Sequence, residues 1–223
     1  MSATIGDVLS LALGILISPI PIIAAILMLL SPRARATSVG FMVGWILGIA
    51  FAVTLFTLLS SLLPEADADE SKPVAGTIKI ILGLLLLLLA VRQWLRRPRG
   101  DAEPKLPGWM KAIDTMTAAR GLALGFVLAA VNPKNLLLSI GAGVIIGASG
   151  LPVGQITVVI IVFTVIAAAS VAVPIIAYLI AAQAMTGPLD AIRTWLTREN
   201  AVVMSVLLLL LGVVLISKGI GSF

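Results

Sequence analysis

The feature that most constrains the fold is the length of the apolar runs. Residues 5–30, 39–63, 74–95, 118–148, 153–182 and 201–220 each form one, separated by short polar or Pro/Gly-marked breaks. About 20 apolar residues of helix are enough to cross the hydrocarbon core of a bilayer. Within lipid every backbone N–H and C=O must be satisfied internally, so runs of this length fold as helices. Composition points the same way: 11% of residues are charged, against roughly 25% in a soluble domain. The expectation is an all-α, polytopic membrane protein of six transmembrane helices. It forms one domain, 1–223, with a three-helix unit over 1–95, a basic loop over 96–117 and a second three-helix unit over 118–223.

The basic residues orient these spans. Arg33 and Arg35 follow the first run; Arg92, Arg96, Arg97, Arg99, Lys105, Lys111 and Arg120 surround the third loop; Arg193 and Arg198 lie in the fifth. Only Lys72, Lys79 and Lys218 lie on the other side. Positive loops stay in the cytoplasm, which places loops one, three and five inside and both termini outside. Trp94, Trp109 and Trp195 fall on the same inner side, as interfacial anchors do. The net charge of +5 therefore reads as topology, and no nucleic-acid motif accompanies it. The first basic residue is Arg33 and no small-residue cleavage site follows the first run, so the first helix is expected to be retained.

The two halves echo each other. Leu11-Ala12-Leu13-Gly14 leads to Ser18-Pro19-Ile20-Pro21, and Leu122-Ala123-Leu124-Gly125 leads to Asn132-Pro133-Lys134-Asn135. Leucine runs recur at 84–89 and 207–211. Three spans per half force the second copy to enter from the opposite face. The result is an inverted repeat with broken first and fourth helices, an architecture that holds substrate where the repeats meet.

Lys134 is the residue hardest to place blandly. It sits in the middle of the fourth run, with Leu136-Leu137-Leu138 after it. A cation at that depth is costly and is kept for a cavity, a partner or a task. Snorkelling along its stem is opposed by its depth. All ten carboxylates lie in loops or near span ends, so an internal salt bridge needs a loop to fold inward. Water, backbone carbonyls or an anionic ligand remain. Prolines in membrane helices are tolerated as kinks, but breaks at corresponding places in both halves favour a site. The candidate substrate-binding residues are Ser18, Pro19, Pro21, Asn132, Pro133, Lys134 and Asn135.

Other features are read against plainer alternatives. Gly40, Gly44 and Gly48 form a small-residue ladder that suits intramolecular packing as well as a homodimer. Arg92 to Arg99 could attract anionic lipid, though orientation alone explains it. Ser170 and Pro174 mark a hinge or a simple kink. With no Cys and no His, disulfides, thiol chemistry and imidazole ligation are excluded. No carboxylate lies in the middle of a span, where proton and cation carriers use one, which disfavours metal transport. No nucleotide-binding G-x-x-x-x-G-K-[ST] motif and no covalent catalytic constellation is present, so the expectation is a protein that is not an enzyme and needs no cofactor.

Six spans, the proline motif Ser18-Pro19-Ile20-Pro21 and the motif Asn132-Pro133-Lys134-Asn135-Leu136-Leu137-Leu138 resemble the lysine-exporter superfamily. They look most like its branch of glycopeptidolipid- and sulfolipid-addressing proteins. The resemblance covers essentially the whole chain, and the two short motifs are its specific part. It implies a bacterial, actinobacterial plasma-membrane protein that exports or flips anionic or glycosylated surface lipids. It also implies partners among membrane lipids and other lipid-export proteins. Amino-acid exporters share Asn-Pro-Lys and stay as the rival reading. A third reading is a non-transporting scaffold that recruits lipid-assembly enzymes through the basic loop 96–111.

Overall fold

The computed structural model describes residues 1–61, 73–95, 113 and 115–222. Among them the chain is all-helical: α1 (Ser2–Leu16), α2 (Pro19–Leu29), α3 (Ala34–Ser60), α4 (Pro73–Leu95), α5 (Ala118–Ala130), α6 (Pro133–Gly147) and α7 (Val153–Ile220). By length and composition α3, α4 and α7 can each cross a bilayer, and the bent pairs α1–α2 and α5–α6 raise the number to five. This is a membrane protein. The acidic segment 64–70, the basic loop 96–111 and Trp109 lie outside the described residues.

Both broken spans follow from proline. Pro19 and Pro21 lack the N–H groups that would bond the carbonyls of Ile15 and Ile17 four residues back. A residue before proline is also pushed out of the helical region, and Ser18 is extended at φ −110°, ψ 99°. The chain turns by 51° between α1 and α2. Asn132 precedes Pro133 at φ −59°, ψ 123°, and α5 and α6 meet at 61°.

The last helix departs from the sequence expectation. Residues 185–199 were expected to separate two spans, yet they are helical, and α7 runs for 68 residues. At 1.5 Å per residue its two arms, on either side of a kink, are about 40 and 60 Å long, each long enough to cross a hydrocarbon core. Its one non-helical residue is Ala181, at φ −138° and ψ 57°. Pro174 and Pro188 both lie inside the helix, and neither is at the spacing that would free the backbone at Ala181. Nothing in the local sequence explains the bend.

Glycine contacts define how the helices pass one another. Gly40 meets the Ala118 carbonyl and Gly44 that of Leu122, while a Cβ on Gly48 would lie 2.8 Å from that of Phe126. From the other side, Gly121 faces the Thr37 carbonyl and Gly125 that of Phe41. The paired numbers rise together, so α3 and α5 run parallel with their backbones in contact. The Gly40, Gly44 and Gly48 ladder is therefore filled from within the chain, which removes it as a surface for a second copy.

The α4–α7 contact is antiparallel and reciprocal. Gly83 packs on the Gly212 carbonyl and Ile216, and Gly212 on the Gly83 carbonyl and Leu87. One heptad away, Gly219 packs on the Gly76 carbonyl and Ile80. The outward face of α4 presents Leu84, Leu88 and Leu95, while Leu82, Leu86 and Ala90 are buried. Both faces are apolar, as befits a helix with lipid on one side and protein on the other.

Candidate functional site

The two helix breaks meet. Ser18 and Lys134, 116 residues apart in sequence, share a hydrogen bond of 2.6 Å from the Lys134 Nζ to the Ser18 Oγ. The same ammonium donates to the carbonyl of Gly14 at 2.6 Å and to that of Ile17 at 3.4 Å. Its three protons thus go to the frayed end of α1. Helix C-termini carry unpaired carbonyls and the negative end of the helix dipole. Of the alternatives open to a buried lysine, backbone carbonyls are the partners found here.

Ser18 completes this cluster. Its hydroxyl donates to the Ile15 carbonyl at 2.6 Å, the group that Pro19 left without a donor. The Asn135 Oδ1 lies 3.3 Å away as a weaker alternative acceptor. Asn135 works on the other break: its Nδ2 donates to the Leu128 carbonyl at 3.0 Å, whose helical partner would have been the Asn132 N–H. Asn132 caps α6, accepting the Lys134 backbone N–H at 3.1 Å. The first turn of α6 therefore satisfies exposed carbonyls of α1 through Lys134 and of α5 through Asn135. Lys134, Asn135 and Ser18 are all buried.

Ser18, Pro19, Pro21, Asn132, Pro133 and Lys134 line one cavity of about 230 Å³. Asn135 does not; it sits behind, bonded to α5. The cavity also takes in Arg92 and Gln93 from the end of α4 and Asn200 from α7. Sequence reasoning missed these three as site residues. Arg92 was weighed as a topology signal and, with the run to Arg99, as an attraction for anionic lipid, and Asn200 lay in a stretch read as a loop boundary. Asn200 Oδ1 is buried with no hydrogen-bond partner among the described residues.

The proline motifs shape what this site can offer a ligand. Two helix N-termini face the cavity, which favours negative charge. Yet Pro19, Pro21 and Pro133 have no N–H, and the Lys134 N–H is already capped. Of the α2 first turn only Ile20 keeps an N–H toward the lining, so recognition there falls mostly to side chains. The lining carries Lys134 and Arg92 and, among the described residues, no carboxylate.

None of the curated proteins and none of the solved structures matches the chain. The family described as "Sap, sulfolipid-1-addressing protein" matches over residues 8–221, a stretch that contains both helix breaks and every residue of the cavity. The chain belongs to this sulfolipid-1-addressing protein family.

Proposed function

We propose that the chain exports an anionic or glycosylated amphiphile, carrying its head group from the inner to the outer leaflet of the plasma membrane. The observation that carries this reading is the convergence of both helix breaks, Lys134 and Arg92 on one cavity. At about 230 Å³ the space lies just below the ~300–1,000 Å³ of small-molecule pockets, which suits a head group and not a whole lipid. Leu89, Met204 and Leu208 also line it, so the acyl chains would stay in apolar surroundings while the head group moves.

Each side chain then has a role. Arg92 receives the anion at the mouth, and Lys134 takes it deeper as the ligand replaces the Gly14 and Ile17 carbonyls. Asn132, Gln93 and Asn200 offer amide groups to sugar hydroxyls, Asn200 through an oxygen that has no partner among the described residues. A free amino acid would need a carboxylate for its ammonium, and the described lining holds none. That counts against the small-molecule exporter.

The reading includes six spans arranged as two inverted repeats, with α7 crossing twice on either side of Ala181. The parallel α3–α5 pair and the antiparallel α4–α7 pair have the relative directions this arrangement requires. In this reading, drawn from the basic loops, both termini lie outside and the cavity, beside Arg92, opens on the cytoplasmic side.

Comparative lipidomics of outer-surface extracts tests it. Lys134→Glu should abolish export, since a carboxylate repels the head group and cannot bond carbonyls. Lys134→Arg should retain part of it, keeping charge in altered geometry. Arg92→Gln should lower it by about tenfold, the worth of ~1.4 kcal/mol of binding. Wild-type surface lipid in both Lys134→Glu and Arg92→Gln would leave no transport through this cavity, and the scaffold reading would take its place.

A further inference from the structure

Three helix faces run without interruption from the cavity of Lys134 to a second cavity, of about 390 Å³, at the other end of the bundle. On α7, Asn200, Met204 and Leu208 line the first cavity, Leu211 and Leu215 follow as buried side chains, and Lys218 lines the second. Each step is three or four residues, so these side chains form one stripe. On α6 the same spacing joins Lys134 to Leu138, Gly141 and Ile145, the last of which lines the second cavity. On α1 it joins the Gly14 carbonyl, which Lys134 bonds, to Leu11 and then Asp7. The stripes close on one another halfway. Gly14 faces Leu138 and Leu211, Gly141 faces Leu11 and Leu215, and all four leucines are buried. Beyond this layer Lys218, at the end of α7, is ion-paired with Asp7, near the start of α1.

We infer that the leucine layer is the barrier of the export path and that the Asp7–Lys218 pair is its outer latch, which parts each time a head group leaves. The inference rests on the export reading above. Four buried leucines exclude water, and apolar constrictions of this kind gate polar cargo by dewetting. To widen the layer, α1 and α7 must separate at their outer ends, and the ion pair spans those two helices there. Its strength suits a latch better than a brace. The side chains of Lys218 and Asp7 are 28% and 50% exposed, so the pair is screened and holds little of the fold together. It can open on each passage and re-form behind the cargo.

The chain has no cysteine, and a Cβ on Gly141 would meet Leu11 and Leu215 at 3.4 and 3.5 Å, so Gly141→Cys sets one thiol within the layer. In full-length protein in nanodiscs, neutral hydroxyethyl methanethiosulfonate should label it slowly. Asp7→Asn or Lys218→Gln should speed labelling about two- to fivefold, the most that an exposed pair holds back. Exchanging the charges, Asp7→Lys with Lys218→Asp, should restore the slow rate, each variant first shown monodisperse by gel filtration. In cells, a short bis-methanethiosulfonate joining Asp7→Cys to Lys218→Cys should halt the appearance of newly labelled surface lipid, and a reductant should restore it. Either single thiol, treated alike, should export normally. Labelling that neither single variant speeds, an exchange as fast as the single variants, or normal export by the cross-linked protein would each overturn the inference. Normal export by both Lys134→Glu and Arg92→Gln would instead overturn the export reading, and the reporter, which needs no cargo, would still show whether the pair holds the layer shut.

Discussion

Replacing Lys134 by methionine separates what the lysine does for the fold from what it does for a ligand. Methionine keeps an unbranched apolar stem of similar length and removes only the ammonium. The Gly14 carbonyl then loses a 2.6 Å bond and the Ile17 carbonyl a weak 3.4 Å contact. The Ile15 carbonyl keeps Ser18. An orphaned buried carbonyl costs ~1–3 kcal/mol, so one full and one partial loss come to ~2–4 kcal/mol. Relief from burying an ammonium offsets part of this. The expected net destabilisation is about 1–3 kcal/mol, or roughly 5- to 150-fold in the unfolding equilibrium. Unfolding in mixed micelles with rising dodecyl sulfate, followed by tryptophan fluorescence, measures it, because Trp45 is fully buried. Lys134→Arg should recover most of the loss, and Arg92→Gln, at an exposed position, should show none. A Lys134→Met protein as stable as wild type would refute the reasoning: water in the cavity would then be satisfying the carbonyls, and the lysine would hold nothing together.

Three further outcomes are expected. Gly44→Leu places a side chain against the Leu122 carbonyl; pushing α3 from α5 should cost at least the ~1–3 kcal/mol of ordinary overpacking, read by the same unfolding titration. Asn132→Ala removes the cap of α6 and should destabilise by ~1 kcal/mol, with Asn132→Ser recovering most of it in the same assay. Single thiols at Val153 and Arg35 report topology: an impermeant reagent outside the cell should label Val153→Cys and spare Arg35→Cys. The reverse labelling would invert the orientation that the basic loops predict.

The helical class, the two broken spans and their meeting could be read from the chain because each has a local chemical cause. Proline removes named donors, and a buried lysine must find acceptors. The partners of Lys134 could not be chosen from sequence, since carbonyls are present at every residue and only the fold says which are frayed. Arg92 and Asn200 escaped notice for a related reason. On a helix apolar all round, such as α4, periodicity does not reveal the inward face, so the few polar residues near its ends look alike. Glycine carried more information than hydrophobicity did. The shared spacing of seven in Gly76/Gly83 and Gly212/Gly219 marks the α4–α7 contact, and that signal was available but unused. The bend at Ala181 falls at the end of the apolar run 153–182, yet no proline or glycine marks the residue itself, and the stretch 185–199, expected as a break, is helical because polar residues suit an exposed helix as well as a loop.

Lys134 and Asn135 are neighbours on one turn, yet one grips α1 and the other α5. A rotation of that turn large enough to free the Gly14 carbonyl also drags on the Leu128 carbonyl. The two breaks are therefore geared together, and neither half of the molecule can flex at its break without a matching adjustment in the other. A ligand that competed for the ammonium would act at once on both breaks through a lever two residues long.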